Sequence, residues 1–401
     1  MVNKKLIALL TVLIFSLVAL AGCGSSDSGG KQQTKADDAI KIGFLGAKTG
    51  GHASYGLETL KGMKMAAEDI NAGGGILGKE VVIVEDDHGS KNSEASTVTD
   101  KLINNNKVVA IVGDPTTGLT KIAAPIAQDN QVVLLSAGAV GTGVVEIGDF
   151  IFRDTLLDAL AAPAVTKYCT EELGWKKVAL VTSINNDYSV GLSKIFKDAL
   201  NKYGVEIVTE QQIKDGDTNF SAQVTNLTGK EFDGIVFTGY YTEGGLFMKE
   251  VRKQGMKQVL VGGDGLLSPV LWEMGEAAVE GSMVYTGFAP DTKTDNAKTK
   301  GFIDKYQSAN DNKLPDMFSA QGYDAVMLIA DAIKNAQSTD PKVFRDSLAQ
   351  TKDWQGVTGT ITIRENREPI KSPVYLLEVA PTGDGGSREW TIKAAIPVTA
   401  D

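Results

Sequence analysis

The 401-residue chain has a formal net charge of −10, with 42% hydrophobic and 22% charged residues. That composition describes a soluble globular protein long enough for two domains, and its acidic balance argues against nucleic acid as a partner and against adsorption to anionic lipid. Two histidines and two cysteines are too few for a zinc cluster or a disulfide framework, so no metal, cofactor or disulfide is expected.

Lys4 and Lys5 head an apolar run from Leu6 that closes in Leu20-Ala21-Gly22-Cys23. A basic start, an apolar core and small residues at the exit read as a secretory signal. The run falls short of the roughly 20 apolar residues that a spanning helix needs. The tetrapeptide resembles a bacterial lipobox, which implies cleavage before Cys23 and acylation of its thiol and new amine. Residues 1–22 are then a lipoprotein signal peptide. Residues 23–39, where Gly24 to Asp38 include no large apolar residue, are then expected to form a flexible tether holding the body at the extracytoplasmic face of a membrane.

From residue 40, short apolar runs alternate with helical periodicity. Strands are predicted at 40–45, 81–86, 108–112 and 132–135, separated by helices at 56–71, 92–105 and 118–128. After Phe150-Ile151-Phe152-Arg153 the order restarts. Strands at 178–181, 205–208, 234–237 and 259–261 alternate with helices at 159–173, 190–203, 220–227 and 244–253. Apolar strands divided by helices indicate parallel sheets buried on both faces, and two such series indicate an α/β protein of two doubly wound lobes. An extended run at 283–288 precedes a helical pair, 298–308 and 318–335. The chain then ends in a predicted strand pair, 360–364 and 374–379. Crossings near Arg153, Tyr285 and Thr358 would make a three-strand hinge. They divide the chain into a first lobe of 40–154 and 287–357 and a second of 155–286 and 358–401. Cys169, within a helical pattern, reads as a small buried core residue.

Gly73-Gly74-Gly75-Ile76-Leu77-Gly78 matches the dinucleotide fingerprint, and with Lys79 nearly matches a P-loop. A phosphate-binding loop follows a strand and opens a helix. Here a helix precedes the glycines and a strand follows, so they are read as a helix end.

Ligands of open α/β sheets bind beyond the carboxyl ends of the strands. The residues there are Asp114-Pro115-Thr116-Thr117-Gly118, Ser136-Ala137-Gly138-Ala139-Val140, Asn186-Asp187-Tyr188, Gly239-Tyr240-Tyr241 and Gly262-Gly263-Asp264. Thr116 and Thr117 at a helix start offer hydroxyl and N–H groups to an anion, or serve only as a cap. Small residues at 136–140 permit close backbone approach. Tyrosines and an aspartate at the second set of strand ends suit an ammonium group, although Asp264 could equally be a turn residue. An anion seat on one lobe, with a carboxylate and rings on the other, is complementary to a zwitterion, of which an α-amino acid is the simplest.

Ile40-Lys41-Ile42-Gly43 with Thr49-Gly50 and Tyr55-Gly56, Glu68-Asp69-Ile70-Asn71-Ala72-Gly73-Gly74 with Gly78, Asp86-Asp87, Asn186-Asp187-Tyr188 and Gly239-Tyr240-Tyr241 together resemble the type I periplasmic binding proteins. The resemblance is to the branched-chain and hydrophobic amino-acid receptors of ABC importers, over nearly the whole mature chain. It implies a Venus-flytrap fold that closes on its ligand and is not an enzyme. Thr116, Thr117 and the loop from Ser136 to Val140 would hold the ligand carboxylate. A carbonyl near Gly138 or Ala139, with Asp264 and a tyrosine from Tyr240-Tyr241, would hold the ammonium. Tyr55 and Tyr188 would wall the side-chain pocket. Val140 stands where the family often has a hydroxyl residue, which Thr142 would replace only if the loop bends differently, and Asp264 is shorter than the family's usual Glu.

The expected function is a monomeric, lipid-anchored receptor that hands an aliphatic amino acid to the transmembrane subunits of an ABC permease, with ATP hydrolysed by separate subunits. The alternatives are another small solute, such as an amide or an aromatic acid, or a sensory receptor. A hydrolase would need a nucleophile elbow, and Leu134-Leu135-Ser136-Ala137-Gly138 lacks the first glycine of that motif.

Overall fold

The computed structural model describes residues 38–383 and 385–398; the segment read as a signal peptide, Cys23 read as a lipidation site and nearly all of the segment read as a tether lie outside them. The first series runs β1 (Ile40–Leu45), α1 (Ala53–Ala72), β2 (Val81–Glu85), α2 (Asn92–Asp100), β3 (Ala110–Gly113), α3 (Thr117–Asp129), β4 (Val133–Ser136) and β5 (Ile151–Arg153). The second runs α4 (Asp158–Glu171), β6 (Lys177–Ser183), α5 (Asp187–Lys202), β7 (Glu206–Ile213), α6 (Ser221–Thr225), β8 (Gly234–Thr238), α7 (Tyr241–Lys253), β9 (Val259–Gly262), α8 (Val270–Gly275) and β10 (Met283–Thr286). The chain then forms α9 (Ala297–Ala309), α10 (Met317–Ala336), α11 (Pro341–Ala349), β11 (Trp354–Gly356), β12 (Gly359–Ile363), β13 (Pro369–Ile370), β14 (Val374–Pro381) and β15 (Arg388–Ile396).

The first sheet has the order β2-β1-β3-β4-β5 and the second β15-β14-β10-β9-β8-β6-β7. All pairs in the first are parallel; in the second only β14 is antiparallel to its neighbours. Leaving β14 and β15 aside, β7-β6-β8-β9-β10 repeats the order of the first sheet without a shared sequence repeat. The interior strands β3, β4 and β8 are buried at every position, as a parallel sheet covered by helices on both faces requires. The edge strands β7 and β15 are half-exposed and rich in polar residues, which blunts them against pairing with another chain.

Helix ends follow local chemistry. The Asn186 side chain caps α5 by accepting from Ser189 N–H at 2.7 Å, and Asp316 forms a capping box with Ser319 at the start of α10. The glycine cluster does end α1: Gly75, at φ +82°, turns the chain so tightly that a Cβ there would sit 2.1 Å from the Lys79 carbonyl oxygen, and β2 follows. α1 and α10 pack at close range, because a Cβ on Gly62 would lie 1.9 Å from the Ser319 carbonyl oxygen. That approach brings Tyr55 and Phe318 side by side, ring centroids 4.6 Å apart. Cys169 is buried and free, its thiol pushed up to about 12 by burial.

The chain passes between the sheets after β5, after β10 and again between β13 and β14. This corrects the sequence reading of the last segment. Residues 358–370 do not belong to the second lobe: Ile361 and Ile363 of β12 are buried with Ala325, Ile329 and Phe344 in the core that packs on the first sheet. Val357-Thr358, read as a crossing, is the two-residue turn of the β11–β12 hairpin, with Gly356 opposite Gly359. The turn is held by Asp324, whose carboxylate accepts from Val357 N–H at 2.8 Å, Thr358 N–H at 2.9 Å and the Thr358 hydroxyl at 2.6 Å. β12 pairs with β11 and β13, and β14 pairs with β10 and β15, so the two runs expected to pair with each other lie in different lobes.

Candidate ligand-binding cleft

In each sheet the order reverses beside the first strand of its series, at β1–β3 and at β6–β8. Such reversals open a crevice at the carboxyl edge, and the two crevices face each other. The loop after β1 and the start of α1 carry Tyr55; the loop after β3 carries Thr116 and Thr117; the loop after β4 carries Gly138 and Val140. From the second lobe come Tyr188 after β6, Tyr240 after β8 and Asp264 after β9. These eight residues, with Pro115, Gly265 and Phe318, line one narrow cavity between the lobes. A wider polar groove of about 740 Å³ lies against it, sharing Thr116 and Tyr240 and bounded by His52, Lys121, Asp187 and Glu243 among others. The converging charged and aromatic groups are in the narrow cavity, and the groove is its mouth.

Contacts across the cleft close it. Tyr55 donates its hydroxyl to the Gly265 carbonyl, Tyr241 donates to the Gly51 carbonyl at 2.6 Å, and the Ser54 and Ser268 hydroxyls lie 2.7 Å apart. At the rim, Lys121 and Asp187 are 3.3 Å apart.

The first lobe supplies the anion seat. Thr116 precedes α3 and makes no side-chain cap bond to that helix, leaving first-turn N–H groups at the positive end of the helix dipole. Its hydroxyl instead donates to Asp114 at 2.7 Å. The Thr117 hydroxyl accepts from Gly141 N–H at 3.1 Å; among the described residues its proton has no protein acceptor and is available to a ligand.

The second lobe supplies the opposite charge and the rings. Tyr188 and Tyr240 stack at 5.4 Å with 12° between planes, and the Tyr188 hydroxyl accepts from Gly265 N–H at 3.1 Å. Asp264 is 4% exposed. Loss of solvent pushes its carboxyl well above the usual range and neighbouring Asp158 adds to the shift, partly offset by Tyr188 and the Gly265 backbone. Among the described residues no lysine or arginine forms an ion pair with Asp264. Asp158 is itself raised to about 7 by burial, against the hydrogen bond from Tyr285 and the charge of Arg153.

Three of the residues singled out from sequence do not line the cavity. Ser136 is consumed within its lobe, donating to the Asp114 carbonyl at 2.7 Å and accepting from Ala139 N–H at 3.0 Å. The Ala139 carbonyl, one of two candidates for an ammonium group, already accepts from Arg153 at 2.7 Å, which leaves Gly138. Tyr241 is a latch between lobes rather than a wall. Val140 does face the cavity, while Thr142 is exposed and does not stand in for a hydroxyl there. Sequence reasoning missed Phe318, whose position follows only from the packing of α10 on α1. It also missed Arg153, which bonds the Ala139 and Gly141 carbonyls on either side of Val140 and pairs with buried Glu368.

A family model for periplasmic binding proteins matches residues 39–386. The chain belongs to that family. Among its relatives, a Leu/Ile/Val-binding protein homologue of Brucella melitensis is 29% identical over 339 residues, covering 84% of this chain and 90% of the relative. A leucine binding protein from Thermotoga maritima shares 31% identity and superposes with a TM-score of 0.83, covering 90% of this chain and 99% of that one. The branched-chain amino acid transporter substrate binding protein of Streptococcus pneumoniae, solved with isoleucine, shares 34% identity with a TM-score of 0.80, covering 88% and 99%. This type I periplasmic binding protein is thus placed in the branched-chain amino-acid group of a family of solute-binding proteins.

Proposed function

We propose that this periplasmic binding protein captures an α-amino acid with an aliphatic side chain and delivers it to an ABC permease, tethered to the membrane through lipid on Cys23. The observation that carries the reading is Asp264, a buried carboxylate with no cationic partner among the described residues, in the same cavity as the start of α3. A zwitterion would satisfy both ends: its carboxylate on Thr117 and the N–H groups of α3, its ammonium on Asp264 with the Gly138 carbonyl. Tyr55, Tyr188, Tyr240, Phe318 and Val140 would then surround an apolar side chain. Relatives named for leucine, isoleucine and valine support the ligand class, and the lipobox resemblance supports the anchor.

Calorimetric titration of the body from Ser25, unfolded and refolded to strip bound ligand, against the twenty amino acids tests the reading. Tight binding of leucine, isoleucine or valine is the expected result. Silence across all twenty would keep the fold and move the ligand to another solute class. In that case Val140, apolar where a hydroxyl residue is usual, and Asp264 are the first positions to examine.

A further inference from the structure

His88 does not line the cavity, yet it is bonded into every loop that the first lobe contributes to it. It follows β2 and is 1% exposed, as is Asp114 after β3. Their atoms Nε2 and Oδ2 lie 2.5 Å apart. The Ser90 backbone N–H donates to the other ring nitrogen, Nδ1, at 3.2 Å, so Nδ1 is the acceptor and Nε2 carries the proton offered to Asp114. The second carboxylate oxygen of Asp114 accepts from both the backbone N–H and the hydroxyl of Thr116, each at 2.7 Å. The Asp114 carbonyl accepts from Thr120 at 2.9 Å and from Ser136 at 2.7 Å. On the other side of the ring, the Ser90 hydroxyl donates to the Thr49 carbonyl and accepts from His52 N–H, both at 3.0 Å. One buried pair therefore joins the loop leading to Tyr55, the loop carrying Thr116 and Thr117, and the loop carrying Gly138 and Val140.

A carboxylate held by one partner can rotate about its Cβ–Cγ bond, and a buried one that loses a donor forfeits the full desolvation cost of that oxygen. With His88 on one oxygen and Thr116 on the other, Asp114 has one orientation. We propose that His88 is a positioning residue for ligand capture: through Asp114 it fixes Thr116 and the start of α3 where a ligand carboxylate is received. The inference rests on the amino-acid reading for its ligand arm and on the fold alone for the rest.

The test compares His88→Gln with His88→Asn. The glutamine amide nitrogen reaches the position of Nε2 and can still donate to Asp114; the asparagine amide, one methylene shorter, corresponds to Nδ1 and cannot. Two quantities are read in the ligand-free and titrated full body: hydrogen exchange at the amides of residues 116–119, and isoleucine affinity by calorimetry. His88→Gln is expected to keep the parent's exchange rates and an affinity within about threefold, while His88→Asn speeds exchange and weakens isoleucine binding by about ten- to a hundredfold, the span of a lost buried hydrogen bond. Parental behaviour of His88→Asn overturns the proposal. Equal losses in both variants overturn it too, because packing of the ring rather than its donor would then be responsible. Should His88→Asn fail to fold, exchange in His88→Gln still decides: loss of protection there refutes the relay. A parent that binds no aliphatic amino acid sinks the amino-acid reading, and the exchange arm continues to judge the relay separately.

Discussion

At the scale of single residues, the proposed chemistry of the cleft turns on Asp264. Replacing it with alanine removes the counter-charge from a desolvated ammonium, and affinity for the amino acid is expected to fall by about 2–5 kcal/mol, read by titration calorimetry. Unchanged affinity would place the ammonium elsewhere. The same residue sets a pH dependence. Its carboxyl lies well above the usual range because of burial, and a bound ammonium would favour its ionised form. Binding should therefore release a proton, and affinity should fall on acidification as Asp264 holds that proton more firmly. Titrations in two buffers of different ionisation enthalpy measure the release directly; a heat independent of buffer would contradict it. Tyr241 has a different task. Its hydroxyl bonds the opposite lobe at Gly51, so Tyr241→Phe should cost about 0.5–1.5 kcal/mol of affinity. The loss should appear as faster ligand dissociation in stopped-flow measurements. Tyr241 and Tyr240 are neighbours in sequence and were indistinguishable there. Tyr240 precedes α7 while Tyr241 is its first residue, so the two side chains leave the backbone in different directions.

At the scale of elements, the strand ends were legible and the return segment was not. Strands β1, β3, β4, β6, β8 and β9 are apolar runs followed by glycine, hydroxyl or aromatic residues, and a parallel sheet puts such ends on one edge. The segment from β11 to β14 contains only short alternating runs. Alternation says that a strand has two faces but does not name its partner, and β12 joined the first lobe because Asp324 on α10 grips the β11–β12 turn. Asp324→Ala would leave the buried Val357 N–H and the half-buried Thr358 N–H and hydroxyl without their acceptor. The protein should lose about 2–4 kcal/mol of stability, seen as a lower midpoint in urea with the slope unchanged. An unaltered midpoint would mean that the hairpin docks through its apolar side chains alone.

At the scale of the whole molecule, the proposed lipid anchor can be tested apart from the ligand-binding body. Cys23→Ser should move the protein from the membrane fraction to the soluble fraction if the thiol is acylated; retention in membranes would point to an uncleaved signal instead. The sequence by itself determined the fold class, the family and most of the cavity. Local periodicity dictates the elements, and chemistry at strand ends accumulates on one edge of a doubly wound sheet whatever the details of packing. Tertiary structure decided which of those residues face the cavity. Ser136 and the Ala139 carbonyl were diverted to Asp114 and Arg153, and Phe318 arrived through the close packing of α1 on α10. His88, an isolated loop histidine in the sequence, became a buried link between three loops. Each of these outcomes depends on a partner 14 or more residues away in the chain or on another element, and a sequence pattern carries no distance across space.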